Sequence, residues 1–332
     1  MKLTLPGDAL PRAAWLAAAT RCFCGLALGS AHAGAWLAAL AGAALAEWLV
    51  RGHCGFLPDG HDGLPPALTA ALILPVLADL LFAAHVLTGS AEYLALEPAS
   101  ALLPKLLLAL ALGWIVSRNG AGAVYGAALW LRLLPLLFLP VLLTQLSHFR
   151  AAWLFPILGD GAALLPDILR SALLLALPFA TSRLLSEGEP PRDRRFNPLT
   201  AGLIAAVLLL LRQMMTPAMP GVLDASWLNR LDSLLTNGRA PLYLQLPMIA
   251  LWTVCLVNLA SFDALAGSAG LQRLAPGLDG RLCGAAVAGV ALVGLMVTDA
   301  ASFAAGRWDW AACLPIAVQA AMKWFGRRPC RC

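Results

Sequence analysis

Ionisable side chains stand inside apolar stretches at Arg21, Glu47, Asp79, Arg132, Arg170 and Arg212, with His85 among them. A charge at mid-bilayer costs about 2.5–3.5 kcal/mol even on lenient insertion scales, so each such group must face protein or water, or reach the interface. Lys105 and Arg170 lie near the ends of their stretches, where a long side chain can snorkel outward. Asp79, Arg132 and Arg212 lie deeper, and an Asp79–Arg132 or Asp79–Arg212 pair would form a polar centre. In such a centre Asp79 is the candidate proton carrier.

A second feature is the stretch LLLALPFATSRLL at 173–185. Pro178 removes one helix hydrogen bond and disturbs the preceding turn, freeing carbonyls that lipid cannot satisfy. One reading is a helix broken beside a cavity, where exposed backbone ends bind a solute or ion. The other is a kinked helix whose Thr181 and Ser182 hydroxyls bond back to the preceding turn. Both stay open on these residues alone.

Other chemistry finds weaker handles. His53, Cys54, Asp59, His61 and Asp62 in HCGFLPDGHDG have metal-ligand types, but their spacing matches no closed zinc pattern and the glycines and proline suit a turn. Cys330 and Cys332 offer two sulfurs, too few to close a tetrahedral site. Walker, nucleophile-elbow and HExxH motifs are missing, so neither an enzyme nor ATP-driven transport is expected, and no metal or cofactor is assigned. The eight cysteines fall mostly in apolar stretches and read as small buried apolar groups.

The elements that must position these groups follow from composition. The chain has 332 residues, 60% hydrophobic and 12% charged, with mean hydropathy +0.78. Apolar runs of about 17–25 residues point to an all-α, polytopic membrane protein. Ten spans are expected, at 13–29, 33–50, 65–88, 101–117, 123–144, 164–182, 198–216, 241–263, 281–298 and 309–325. Residues 13–29 read as a retained first helix rather than a signal peptide, because Ser30-Ala31-His32 leads directly into the next run. Of the 23 lysines and arginines, Lys105, Arg150, Arg230, Arg239 and Arg307 fall outside, and Arg21, Arg132, Arg170 and Arg212 within spans. The rest fall inside, which places both termini in the cytoplasm and gives the net charge of +5 a topological meaning rather than a role in nucleic-acid binding. Residues 227–235 in SWLNRLDSLL are expected to form an amphipathic helix on the outer interface.

A longer resemblance follows from the run NGAGAVYGAALWLRLLPLLFLPVLLTQLSHFRAAWLFPILGDGAALLPDILRSALLLALPFATSRLL. Gly122 opens the fifth span, with Pro135 thirteen residues on. LFPILGDG then stands where a known family has nLlPvl..G, and ILRSALLLALPF where it has ilkGalp..pF.e. Downstream, NGRAPLYLQLPMIALW at 237–252 runs from Gly238 to Trp252 at the family's spacing. In this the chain resembles the spore germination permeases, the B-type membrane subunits of endospore germinant receptors, over most of 65–325. Thr181 stands where the family often carries a glutamate, Ala128 where it carries an arginine, and Tyr243 and Gln245 where it carries a charged pair.

The resemblance implies the amino acid/polyamine/organocation transporter superfamily. Its fold is a single domain of ten helices in a LeuT-like five-plus-five inverted repeat (1–144 and 145–325, then a basic tail at 326–332), with helices 1 and 6 broken around a ligand. On that basis Pro178 marks the helix 6 break. Cys24, Gly25, Asp79, Leu177, Phe179, Ala180, Thr181 and Trp252 become the candidate ligand-binding residues. The implied function is a divergent germinant-receptor subunit of the cell membrane or spore inner membrane. It would bind a small nutrient such as an amino acid and signal through an A-type membrane subunit and a C-type lipoprotein. The alternatives are a proton-coupled amino acid permease and a transporter-fold scaffold without ligand.

Overall fold

The computed structural model describes residues 9–29, 34–51, 64–94, 102–118, 120, 122–127, 129–134, 150, 152, 161–186, 195–215 and 242–326. Among the described residues the chain is all helical. In order, the elements are α1 (Ala9–Gly29), α2 (Ala35–Arg51), α3 (Pro66–Leu94), α4 (Leu102–Ser117), α5 (Gly161–Leu185) and α6 (Pro198–Met215). They are followed by α7 (Leu242–Leu274), α8 (Gly280–Val297), the short α9 (Ala300–Ala304), a 3-10 turn (Asp309–Ala312) and α10 (Cys313–Gly326).

Local chemistry sets several of these boundaries. Asn197 accepts from the Thr200 backbone N–H at 2.8 Å, and Pro198 occupies the first position of α6, where its missing N–H costs nothing. Asp279 caps α8 by accepting from the Arg281 N–H at 3.3 Å, and Asp299 caps α9 by accepting from the Ala301 N–H at 3.2 Å.

The central element is α1. Apart from Arg12, Trp15 and Gly29 its residues are buried, and it packs against α5, α6 and α7. Its alanines, Ala13, Ala14, Ala17, Ala18 and Ala19, are all buried and let these neighbours approach closely. A second close seam joins α2, α5 and α6. A Cβ on Gly42 would run into Ser171 Oγ and lie 2.8 Å from the Ile168 carbonyl, and one on Gly202 would strike Ala43. Ser171 Oγ donates across this seam to the Ala38 carbonyl at 2.7 Å. On the other side α3 lies along α7, and α8 packs on α4 and α7. The outer face of α8 presents Leu282, Val290, Val293, Met296 and Val297.

Among the described residues, four helices are long and apolar enough to cross a membrane: Pro66–Ala91, Ala163–Leu185, Ala250–Leu274 and Gly280–Val297. A fifth exists if Leu102–Ser117 and Gly122–Leu134, bent by 105° at their junction, are one span. The membrane-helix character expected from composition therefore holds in its coarse form, while the expected ten spans in a five-plus-five inverted repeat do not. The reason lies in individual helices. Two arginines and a run of alanines make α1 less apolar than a span, and its neighbours enclose it. At 17, 16 and 14 residues, α2, α4 and α10 are shorter than the roughly 20 residues that cross a bilayer. Among the described residues Ala35–Val50 and Pro198–Met214 are the shorter apolar helices.

The expected breaks in helices 1 and 6 are also corrected. Helix α1 is continuous from Ala9 to Gly29, and α5 runs from Gly161 to Leu185 with Pro166 and Pro178 inside it. Thr181 Oγ1 donates to the Pro178 carbonyl at 3.1 Å and Ser182 Oγ to the Phe179 carbonyl at 2.7 Å. The hydroxyls thus bond back within an unbroken helix. The HCGFLPDGHDG cluster, the interfacial helix at 227–235, the span expected at 123–144 beyond residue 134, and the tail at 327–332 lie outside the described residues.

Candidate functional site: a buried arginine–aspartate cluster

Arg21 sits near the middle of the buried helix α1 and is only 1% exposed. Such a cation cannot stay unpaired in the interior, and three surrounding elements supply partners. From α3, Asp79 Oδ1 accepts from Arg21 Nε at 2.9 Å. From the 3-10 turn, Asp309 Oδ1 accepts from Arg21 Nη2. The guanidinium also lies over the Phe82 ring, with Cζ 3.7 Å from the centroid. Phe82 follows Asp79 by three residues, so one face of α3 offers both a carboxylate and a ring.

Asp309 is shared. Its Oδ2 accepts from Arg170 Nε of α5, so one carboxylate bridges two guanidiniums and joins α1, α5 and the turn before α10. Gly306, three residues before Asp309, has φ +72°, a left-handed conformation that glycine adopts without steric cost. A Cβ at Gly306 would collide with the Arg170 guanidinium. Glycine there serves both the turn and the close approach of the arginine.

Several polar atoms of the cluster remain without a hydrogen-bond partner: Arg21 Nη1, Arg170 Nη2 and Asp79 Oδ2. A third carboxylate, Asp263 of α7, is 2% exposed and interacts with both Asp79 and Arg21, and its Oδ2 is also unpartnered. Two guanidiniums and two carboxylates are thus bonded together in the buried interior, with the Asp263 carboxylate within electrostatic reach of Arg21 and Asp79. Asp79, Arg170 and Asp263 come from three of the four helices among the described residues that are long and apolar enough to span a membrane. Among the described residues no group of three or more His, Cys, Asp or Glu side chains could hold a metal ion.

The candidate ligand residues separate into groups. Asp79 is in the cluster, and Gly25 borders it. A Cβ on Gly25 would lie 2.9 Å from Arg21 Nη1, 3.8 Å from Arg170 Nη2 and 2.8 Å from Leu174 Cδ1. Cys24 is fully buried in α1 as a free thiol. Trp252 of α7 is 6% exposed and stacks on Phe23 at 4.5 Å with the rings 8° from parallel. Leu177, Ala180 and Thr181 are buried in α5 and Phe179 is half-buried. They begin two turns beyond Arg170, roughly 10 Å along the axis at 1.5 Å per residue.

The expected pairings of Asp79 are replaced. Arg132 is exposed and Arg212 half-buried, whereas Asp79 is bonded to Arg21. Arg170 does not snorkel; at 5% exposure it turns inward to Asp309. Asp309, Asp263 and Phe82 escaped the sequence reading. The available signal was an acid bracketed by Trp308 and Trp310 in an apolar context, which demands a buried base somewhere in the fold. His85 Nε2 meets Thr298 Oγ1 at 2.9 Å, and Lys105 Nζ donates to the Leu295 carbonyl at 3.2 Å, both away from the cluster. No family model matches the chain, and no curated protein matches it.

Proposed function

We propose that this chain is a multi-pass membrane permease that couples the movement of a small solute, an amino acid in our reading, to protons. The observation that carries the reading is the buried cluster of Arg21, Asp79, Asp309 and Arg170, with Asp263 beside it. Ionisable groups buried among membrane helices are costly, and proton relays and ion pathways are their characteristic use. An aspartate with one oxygen on a guanidinium and the other unpartnered can accept a proton there. Losing its charge loosens its hold on Arg21 and so links protonation to the packing of α1 against α3.

The resemblance to spore germination permeases supports a small nutrient as the solute. The receptor-type reading, with its A-type and C-type partner subunits, depends on a ligand site at broken helices, and α1 and α5 are unbroken. The excess of basic residues on one side supports cytoplasmic termini.

The test is uptake of a labelled amino acid mixture by proteoliposomes that contain only this chain, with and without an imposed pH gradient. Accumulation driven by an acidic exterior and abolished by Asp79→Asn is the expected result. Absence of uptake from vesicles holding folded protein would sink the permease reading in favour of a membrane scaffold. Uptake indifferent to the gradient would sink the proton coupling.

A further inference from the structure

Helices α3 and α7 pack side by side and run antiparallel. A Cβ on Gly270 of α7 would lie 3.0 Å from Ile73 Cγ1 of α3, and one on Gly267 would lie 3.7 Å from Val76 Cγ1. Three residues back on α7 thus match three forward on α3, and one further turn sets Asp263 level with Asp79. Both aspartates are 2% exposed, and each has an Oδ2 without a hydrogen-bond partner. Carboxylate oxygens only accept, so two of them on one seam stay unpartnered until one carries a proton. A proton, unlike a solute, needs no cavity.

Charge and bonding indicate where that proton belongs. Arg21 and Arg170 stay charged, and three ionised aspartates around them would leave one negative charge in excess in the interior. Asp309 has each oxygen on a guanidinium and Asp79 has one there, whereas Asp263 feels Arg21 through its field without a bond to it. The groups acting on Asp263 electrostatically are Asp79 and Arg21. Of the other helices packed on α7, α4 offers Lys105, which is bonded to the Leu295 carbonyl, and α8 offers Arg281 and Cys283 near its start. On α5, Asp167 and Arg183 lie to either side of Arg170, and on α1 the thiols of Cys22 and Cys24 follow Arg21. Asp263 is therefore the carboxyl of the cluster whose ionised form is least compensated.

We propose that Asp263 is the proton relay of the permease: it holds a proton on Oδ2 and passes it to Oδ2 of Asp79. This deepens the permease reading and rests on it for the meaning of the proton as the coupling ion. In the transfer the O–H bond at Asp263 breaks, one forms at Asp79, and the negative charge moves from Asp79 to Asp263. No other reactant takes part. Asp79, now neutral, loosens its hold on Arg21, while Asp263, now ionised, stays within the field of the same guanidinium. Loss of the proton from the pair sets two like charges against each other across the α3–α7 seam, so proton release is linked to the packing of these two helices.

The experiment uses the purified full chain in lipid and reads the infrared carbonyl stretch of a protonated carboxyl at neutral pH, assigned by its shift in heavy water. The difference between the parent and Asp263→Asn should show one such band. Asp79→Asn should lose the same band although Asp263 is still present, because two carboxylates then balance two guanidiniums. Asp263→Asn, whose amide imitates the neutral acid, should melt near the parent; if Asp79→Asn does not fold, the Asp263→Asn spectra and transport decide. In proteoliposomes, Asp263→Asn should lose the accumulation driven by an acidic exterior. It should keep exchange of labelled for unlabelled amino acid, which needs no net proton movement.

A difference spectrum without a protonated carboxyl, a band that survives Asp79→Asn, or gradient-driven accumulation by Asp263→Asn equal to the parent's would each overturn the relay. The two readings fail separately. A band shared by Asp79 and Asp263 in folded protein that takes up no solute sinks the permease and keeps the proton on the pair. Gradient-driven uptake by a parent whose difference spectrum holds no such band keeps the permease and sinks the role of Asp263.

Discussion

Arg21 Nη2 and Asp309 Oδ1 are bonded across 288 residues, so the first described helix and the turn before the last are held by a single charge pair. Because Asp309 also takes Arg170, this one carboxylate fixes three elements at once. The centre of the bundle is thus tied by polar contacts inside an alanine- and leucine-rich shell, and it is sensitive to the loss of any one partner.

Asp309→Ala is expected to leave two guanidiniums buried without their shared counter-ion. Breaking a buried pair from one side costs about 3–5 kcal/mol, and removing both sides together costs far less. The single variant should therefore lose several degrees or more in a detergent melt, and the double variant Asp309→Leu with Arg170→Met should recover much of the loss. A single variant as stable as the parent would show that Asp309 contributes no net stability.

Gly306→Ala tests the geometry that brings Arg170 in. A side chain in the left-handed region costs about 1–2 kcal/mol, and here the added methyl also meets the Arg170 guanidinium. Gly277→Ala is the matched control, since nothing lies within 4 Å of its Cβ position. Its effect should stay within about 0.5 kcal/mol, as at surface sites away from such features. Equal melting temperatures for the two variants would contradict the close approach at Gly306.

Pro178→Ala separates a kinked helix from a broken one. In the continuous α5 the alanine restores an N–H donor to the turn, so stability should rise, by at most about 3 kcal/mol given the usual penalty of an interior proline. Solute uptake and its pH dependence should be unchanged, because Thr181 and Ser182 already bond within the helix. Loss of uptake in a well-folded Pro178→Ala protein would instead show that the proline distortion serves the solute.

The helices were legible in the sequence because hydropathy depends on local composition alone. Span count was less so, because an apolar run does not reveal whether its helix meets lipid or protein, and α1 shows the difference. Charges were legible as costly, and Asp79 was singled out for that reason. Its partner was not, because pairing is set by how helices assemble: Arg21 lies 58 residues from Asp79. Arg170 looked free to snorkel only because the acid that draws it inward lies 139 residues later.

The stacked pair Phe23 and Trp252 gives a last expectation, because Trp252 is a candidate ligand residue whose ring also packs on Phe23. Its ring lies parallel to Phe23 between α1 and α7, and its indole Nε1 has no hydrogen-bond partner. Truncating a buried aromatic costs about 3–5 kcal/mol, whereas a smaller aromatic keeps most of the contact. Trp252→Ala should destabilise strongly in a melt, and Trp252→Phe should cost far less. If Trp252 only packs, Trp252→Phe protein should take up solute at the parent's rate. Slower uptake at near-parent stability would place the indole in contact with the solute.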